Sequence, residues 1–502
     1  MLGALAALLP AGAAAQQSDA RQRTTETIVA DGLAQLPAAD AKVFNQVMGE
    51  LAATGSKGVE MIAAMLVPAD KGKNATFEYA LNGVVAYVTD PAHEALRDDV
   101  RKGLLAAIDR CGDDANRAFL FSQLQFCSTA ADAAAMARYL DDPYLADYAL
   151  RALVSTPGTE ALLLAEAGKD DLTAARKQAL AYAFAEKRLA AAEPFLLTWL
   201  EGADAQTAEQ IYNALAACGS QASVKPLAAA AAKTGCAWND AGAADAYLRL
   251  LARLAAAGDA RAVKAARGLL KCDLQYIRGG ALAILVDALG AGKAMPYVLK
   301  AVEEGPAEYR YAALQSLGKG DDKLFAQVAA GMPRYDAAAQ AAVIGWLGEC
   351  GAVSQADVIT AAVASPDGCV AEAAIAASGR IGGEKALRAL AGALEGPHAG
   401  AAMKALLAFN GQINPEVGRL LAQDDAAALV PALKLAAARR MSAAADRVFA
   451  LLGSSDAEVR AAAYGALPFV AQPQHMDRLS ALLDASDEAH TAAIQSLSLI
   501  HI

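Results

Sequence analysis

At 502 residues the chain is too long for one compact core and is sized for several domains or one extended array. Hydrophobic residues make up 56% but aromatic ones only 6%, with Ala supplying most of the apolar share; the best helix former with the smallest apolar side chain suits thin layers of closely spaced helices. A net charge of −11, with no basic stripe, excludes nucleic acid and anionic membrane surfaces as partners, and no segment reaches the ~18 apolar residues of a membrane span.

The N-terminus opens with an apolar run from Leu2 to Leu9, followed by Ala13-Ala14-Ala15 before Gln16. That is the h-region and small-residue cleavage cue of an export signal over residues 1–15, and it predicts a periplasmic or secreted protein. No Lys or Arg precedes the run, so the start codon is placed too late or the segment is an Ala-rich helix. Residues 16–140 read as divergent helical repeats, and residues 141–496 as a more regular array. The seven cysteines include three that directly precede glycine, Cys111, Cys218 and Cys350. Their odd number, their wide spacing and the lack of a C-x-x-C pair favour small apolar residues at helix ends over a disulfide framework or a metal site.

Three landmarks recur along the array. An apolar residue plus Gly marks helix ends at Leu289-Gly290, Leu317-Gly318, Leu347-Gly348 and Ile381-Gly382, at steps of 28, 30 and 34 residues. A Pro is expected one or two residues into the following helices, at Pro194, Pro226 and Pro296, because the first turn needs no N–H there. Between these marks lies an apolar residue, Arg, two residues, then Ala, as in Ile277-Arg278, Tyr309-Arg310 and Val459-Arg460. Within 305–332, Tyr309, Ala312, Ala313 and Leu317 share one helix face, and Tyr247, Leu250, Leu251 and Leu254 share another. No alternating run bounded by turn residues argues for a strand.

The stretch SSDAEVRAAAYGAL (454–467) and the 305–332 unit resemble HEAT and phycobilisome-lyase-type repeats. The resemblance implies an all-α fold, a right-handed α-solenoid of degenerate HEAT-type helical hairpins, each burying its apolar face against its neighbours. It also implies that Arg278, Arg310 and Arg460 are structural residues tying adjacent units together, with Asp456 at the family's Asp position. A second stretch, 31–88, is similar to the opening of secreted bacterial proteins in which such an array precedes a 3-keto-disaccharide hydrolase domain, a β-sandwich that no part of this chain resembles. The chain ends Leu497-Ser498-Leu499-Ile500-His501-Ile502, the translation of a transposon end sequence used in sequencing libraries. Residues 497–502 are therefore expected to be an artefact, with the natural protein continuing past Ser496.

Little in the sequence nominates chemistry. His93, His398, His475, His490 and His501 form no H-E-x-x-H motif, so neither a metal nor another cofactor is expected. Gly290-Ala291-Gly292-Lys293 lacks the first Gly and the Ser/Thr of a phosphate loop and reads as a turn, as does 379–383; no G-x-S-x-G elbow occurs. The pairs Asp141-Asp142, Asp321-Asp322 and Asp424-Asp425 fall between helices, where they suit helix N-termini. Tyr276, Tyr297, Tyr309 and Tyr311 crowd three consecutive helices. They could contact a sugar or a peptide, or Tyr276 and Tyr309 could hold equivalent core positions beside the repeat Arg. The reading is an exported scaffold arm of a larger protein with a sugar hydrolase domain, binding a protein partner, its own further domain or carbohydrate. The alternatives are a stand-alone protein-interaction solenoid and a lyase-type enzyme.

Overall fold

The computed structural model describes residues 23–485 apart from 69, 240 and 410; the calls on residues 1–15 and 497–502, and on His490 and His501, lie outside the described residues. All regular structure among the described residues is helical. After a short helix, Thr25–Ala34, the described residues make fourteen hairpins, each an A helix followed by a shorter B helix. The A helices begin at residues 41, 75, 114, 146, 174, 205, 243, 275, 307, 337, 368, 399, 426 and 457. The protein is an all-α solenoid, and the same alternation runs unbroken from residue 41 to residue 485.

The hairpins follow from local chemistry. Asp N-caps close the first turn of many A helices: Asp113 accepts from the Asn116 N–H at 2.9 Å, Asp204 from Thr207 at 2.7 Å, Asp336 from Ala339 at 2.6 Å, and Asp456 from Glu458 and Val459 at 2.8 and 3.0 Å. Glycine in the left-handed region ends others, as at Gly290 (φ 79°) and Gly382 (φ 69°). Two of the sequence landmarks need correction. Gly348 lies inside Ala337–Glu349, and the left-handed residue that turns this chain segment is Gly351. Pro226 and Pro296 each sit at the sixth position of their helices, Gln221–Lys233 and Ala291–Glu304, whereas Pro194 is in the first turn as expected. The helices start a turn earlier because Ser220 and Gly290 open them; Ser223 and Lys293 each bond back three residues, so this first turn is tight.

Two compact units divide inside helix Ala243–Ala256, between Arg253 and Leu254. In the second unit the buried side chains form one unbroken core from Leu282 to Leu479. Its successive A helices meet through their smallest residues. A Cβ on Gly348 would lie 2.6 Å from the Cβ of Ala377, and one on Gly379 would lie 3.2 Å from that of Ala405. Such contacts set neighbouring axes at the close end of the usual 8–10 Å range, which is what the Ala-rich composition provides. Larger side chains fill the space between A and B layers: Phe325 meets Trp346 edge to face, at 5.4 Å between centroids.

Arginines stitch the stack, several of them by donating to carbonyls that helix ends leave without an N–H partner. Arg310, 5% exposed, donates Nε to Val302 O at 2.9 Å and approaches Asp336, the cap of the next A helix, at 3.5 Å. It thus contacts the hairpins before and after its own. Arg460 bonds the carbonyls of Ser454 and Ser455 in the turn before its helix, at 2.7 and 2.9 Å. Arg278 lies over the Tyr309 ring, 4.1 Å from its centroid. Arg253 reaches Ala216 O and Gly219 O, Arg439 reaches Leu406 O and Phe409 O, and Arg447 reaches Leu421 O and Gln423 O. These last three carry no local motif, since they act from the far end of a helix or from a B helix.

Candidate functional site

The crowded tyrosines do not form one site. Tyr309 is 4% exposed and belongs to the core, where it underlies Arg278. Its equivalent one hairpin earlier is Ile277 rather than Tyr276, because the residue just before the repeat Arg is the one that points inward. Tyr276 and Tyr311 are exposed, and Tyr297 is half-buried on a B helix beside Arg267, 5.6 Å from its ring centroid. Any ligand contact in this cluster is confined to Tyr276, Tyr297 and Tyr311.

The histidines and acids resolve locally. His93 stacks on Tyr87 at 3.8 Å, His398 meets Glu372 at 3.4 Å, and His475 accepts from Gln472 N at 3.0 Å. Asp142 and Asp321 cap the N–H groups of Tyr144, Leu145 and Leu324; Asp425 precedes a helix without a side-chain cap, and Asp424 approaches Arg447 at 3.5 Å. Gly290 to Lys293 is a helix cap and first turn. Cys350 precedes a left-handed glycine, but Gly112 and Gly219 after the other two helix-end cysteines are not left-handed. Burial pushes the Cys127 thiol up to about 12 and Cys218 up to about 11, which keeps both protonated. Among the described residues no three His, Cys, Asp or Glu side chains gather closely enough to share a metal ion, and no helix is long and apolar enough to cross a membrane.

A surface built from several hairpins lies in the first unit, on the outward stripe of four successive A helices. Two hollows of about 400 and 410 Å³ adjoin there, sharing Tyr182 and Gln210. The first is bounded by Asp147 and Arg151 from Ala146–Ser155 and by Gln178 from Ala174–Glu186. The second is bounded by Glu186, Arg188, Asn213 and Arg249, the last two from Ala205–Cys218 and Ala243–Ala256. Ala175, Ala179, Ala185 and Ala217 also line the pair. In the central helix these positions recur at three and four residues, opposite a core stripe of Leu180 and Phe184, both 0% exposed.

The trough is held from beneath. Gln178 donates to the Oγ1 of buried Thr207 at 2.9 Å, which leaves its carbonyl oxygen for a ligand. Lys187 donates to Thr156 O at 2.8 Å and meets Glu160 at 3.0 Å, anchoring the end of Ala174–Glu186 to the turn of the preceding hairpin. Arg249 is fixed by Asp245 at 2.6 Å and by Asn213 Oδ1 at 2.5 Å, so the Asn213 amide presents its N–H groups outward. The lining holds no Ser, Cys or His; its groups are those of hydrogen-bond recognition. The sequence signal was the second, polar stripe on these helices, but only the stacking of four hairpins brings its members together.

No protein-family model matches the chain, and comparison with curated proteins finds no match. Among solved structures it is similar to Kap121p (13% identity, TM-score 0.42, covering 95% of this chain and 56% of that one) and to Kap121p bound to RanGTP (14%, TM-score 0.40, 94% and 56%). Kap121p bound to Pho4p is matched at 13% identity and a TM-score of 0.39, over 95% and 56%. The chain thus spans little more than half the length of these structures, and at such values the likeness says nothing of ligand or partner.

Proposed function

We propose that the protein is a binding scaffold that holds an extended protein segment along the trough between Asp147 and Arg249. The observation that carries this is the continuity of two hollows through Tyr182 and Gln210, lined by alanines and edged by amide side chains. An extended backbone offers N–H and C=O groups in alternation, and Gln and Asn both donate and accept. Tyr182, 43% exposed, adds a rigid apolar surface with a polar tip. Four A helices at ~9 Å spacing span roughly 27 Å between outer axes, the reach of about eight extended residues. Panning a displayed random peptide library on the full chain tests this. Captured peptides should lose binding when Ala179→Arg fills the trough and should weaken severalfold on Tyr182→Ala. Capture indifferent to Ala179→Arg would remove the trough from the account.

Export and attachment to a sugar hydrolase are further parts of the proposal, supported by the apolar run with its Ala13-Ala14-Ala15 cue and by the resemblance of residues 31–88. N-terminal sequencing of protein recovered outside the cytoplasm should begin at Gln16, and the gene read past Ser496 should enter a β-rich domain. An intact Met1 in that material, or a stop codon following a closing helix, would favour the stand-alone solenoid.

A further inference from the structure

We infer that the second hollow of the trough, where Arg188, Asn213 and Arg249 meet, receives a carboxylate of the bound segment, so that the partner carries an Asp, a Glu or a free C-terminus at that place. The inference rests on the trough being the binding surface. Its own support is a surplus of donors. Arg188 makes no side-chain hydrogen bond or ion pair among the described residues, so all five of its N–H groups are open. Arg249 spends its Nε on Asp245 and one Nη2 contact on Asn213, which leaves its other terminal N–H groups unused. Asn213, accepting from Arg249 through its oxygen, adds an amide donor. Glu186 is the one acid of this lining.

The backbone strengthens the case for Arg188. It stands at φ 47°, two residues past the end of Ala174–Glu186, where the A helix Ala337–Glu349 places Gly351 at φ 67°. The left-handed turn redirects the chain, and Arg188 lines the hollow beside Ala185 and Glu186 of the helix it follows. Arg440 holds the same place after Ala426–Ala438 at φ 50°, and a cation there is favoured by the helix C-terminus in both cases. Arg188 lines a hollow that a second, fixed arginine also lines. Two guanidiniums and an amide around a hollow of about 410 Å³ match the acceptor-only chemistry of a carboxylate, which takes charge-assisted bonds in pairs.

Position-by-position enrichment of peptides selected on the full chain, followed by anisotropy titration of a selected peptide and its Glu→Gln twin, decides the matter. The expected result is Asp or Glu enriched at one position, a twin binding about tenfold more weakly at low salt, and loss of that difference on Arg188→Ala with the twin's own affinity unchanged; Arg188→Lys should keep part of it. An unchanged melting temperature for Arg188→Ala shows that the fold is intact. Selected peptides without an acid position, yet released by Ala179→Arg, would overturn the carboxylate and leave the trough standing. Peptides held regardless of Ala179→Arg would overturn both.

Discussion

At the scale of single residues, the joints between hairpins are made by a few buried polar groups whose partners lie in the next repeat. Arg310 is the clearest: removing it leaves Val302 O without its donor inside the stack and leaves Asp336 without its cation. Arg310→Ala should cost about 2–3 kcal/mol in urea unfolding, the usual range for opening a buried network. Arg460→Ala, which frees carbonyls in a partly exposed turn, should cost less than about 1 kcal/mol. Equal losses would mean that the buried position is not what matters. Glu193 is the acidic counterpart. Burial acts to raise its pKa, but hydrogen bonds from Ser223 and Ser220 outweigh it, and the carboxyl is held below its ordinary 4.5. With the folded value below the unfolded one, the stabilisation is complete above pH 4.5 and is lost as pH falls through the folded value. Melting temperature measured from pH 7 down to pH 3 should therefore fall more gently at the acid end in Glu193→Gln than in the native chain, from a lower starting point. Parallel curves would show that Glu193 does not couple to folding.

At the scale of the helix, identical letters do different work depending on what lies across the stack. Gly345 and Gly348 share the helix Ala337–Glu349. A Cβ on Gly345 would meet nothing within 4 Å, whereas one on Gly348 would press on the Cα and Cβ of Ala377 at 2.7 and 2.6 Å. Gly345→Ala should stabilise the protein by about 0.5–1 kcal/mol through helix propensity alone. Gly348→Ala should destabilise it by about 1–3 kcal/mol, because the backbone opposite has to move. Thermal or urea unfolding of the two variants gives the signs directly. The contrast also shows what was legible from residues alone. Hairpin periodicity and the inward stripe through Tyr309, Ala312, Ala313 and Leu317 follow from local spacing; Tyr309, Ala313 and Leu317 are buried and Ala312 is half-buried, with Leu317 just past the end of Ala307–Gln315. Leu347-Gly348 looks like a helix end because a glycine that thins a helix for its neighbour reads the same as one that closes it. Pro226 and Pro296 look like first-turn residues because the turn before each, opened by Ser220 or Gly290, carries no signal stronger than the proline itself. The trough was out of reach for a related reason: Gln178, Gln210, Asn213 and Arg249 are ordinary surface residues until stacking register gathers them.

At the scale of the molecule, hairpins within each unit contact their immediate neighbours, so the stability of a unit should behave as a sum of intrinsic hairpin terms and nearest-neighbour interfaces rather than as one all-or-none quantity. In the second unit the unbroken core from Leu282 to Leu479, taken alone, argues for a single cooperative block. The close backbone approaches argue otherwise, because the contacts of Gly348 with Ala377 and of Gly379 with Ala405 each join an A helix only to the next one along. Strain introduced at one interface then reaches later helices only by way of that neighbour. Hydrogen exchange on Gly348→Ala should show faster opening in Ala337–Glu349 and Gly368–Ile381, with amides of Ala426–Ala438 and Ala457–Val470 protected as in the native chain. Uniform loss of protection across the second unit would mean that the core transmits strain as one body. The local outcome carries a consequence for binding: a scaffold whose hairpins open singly can adjust one A helix to a ligand without unravelling the rest.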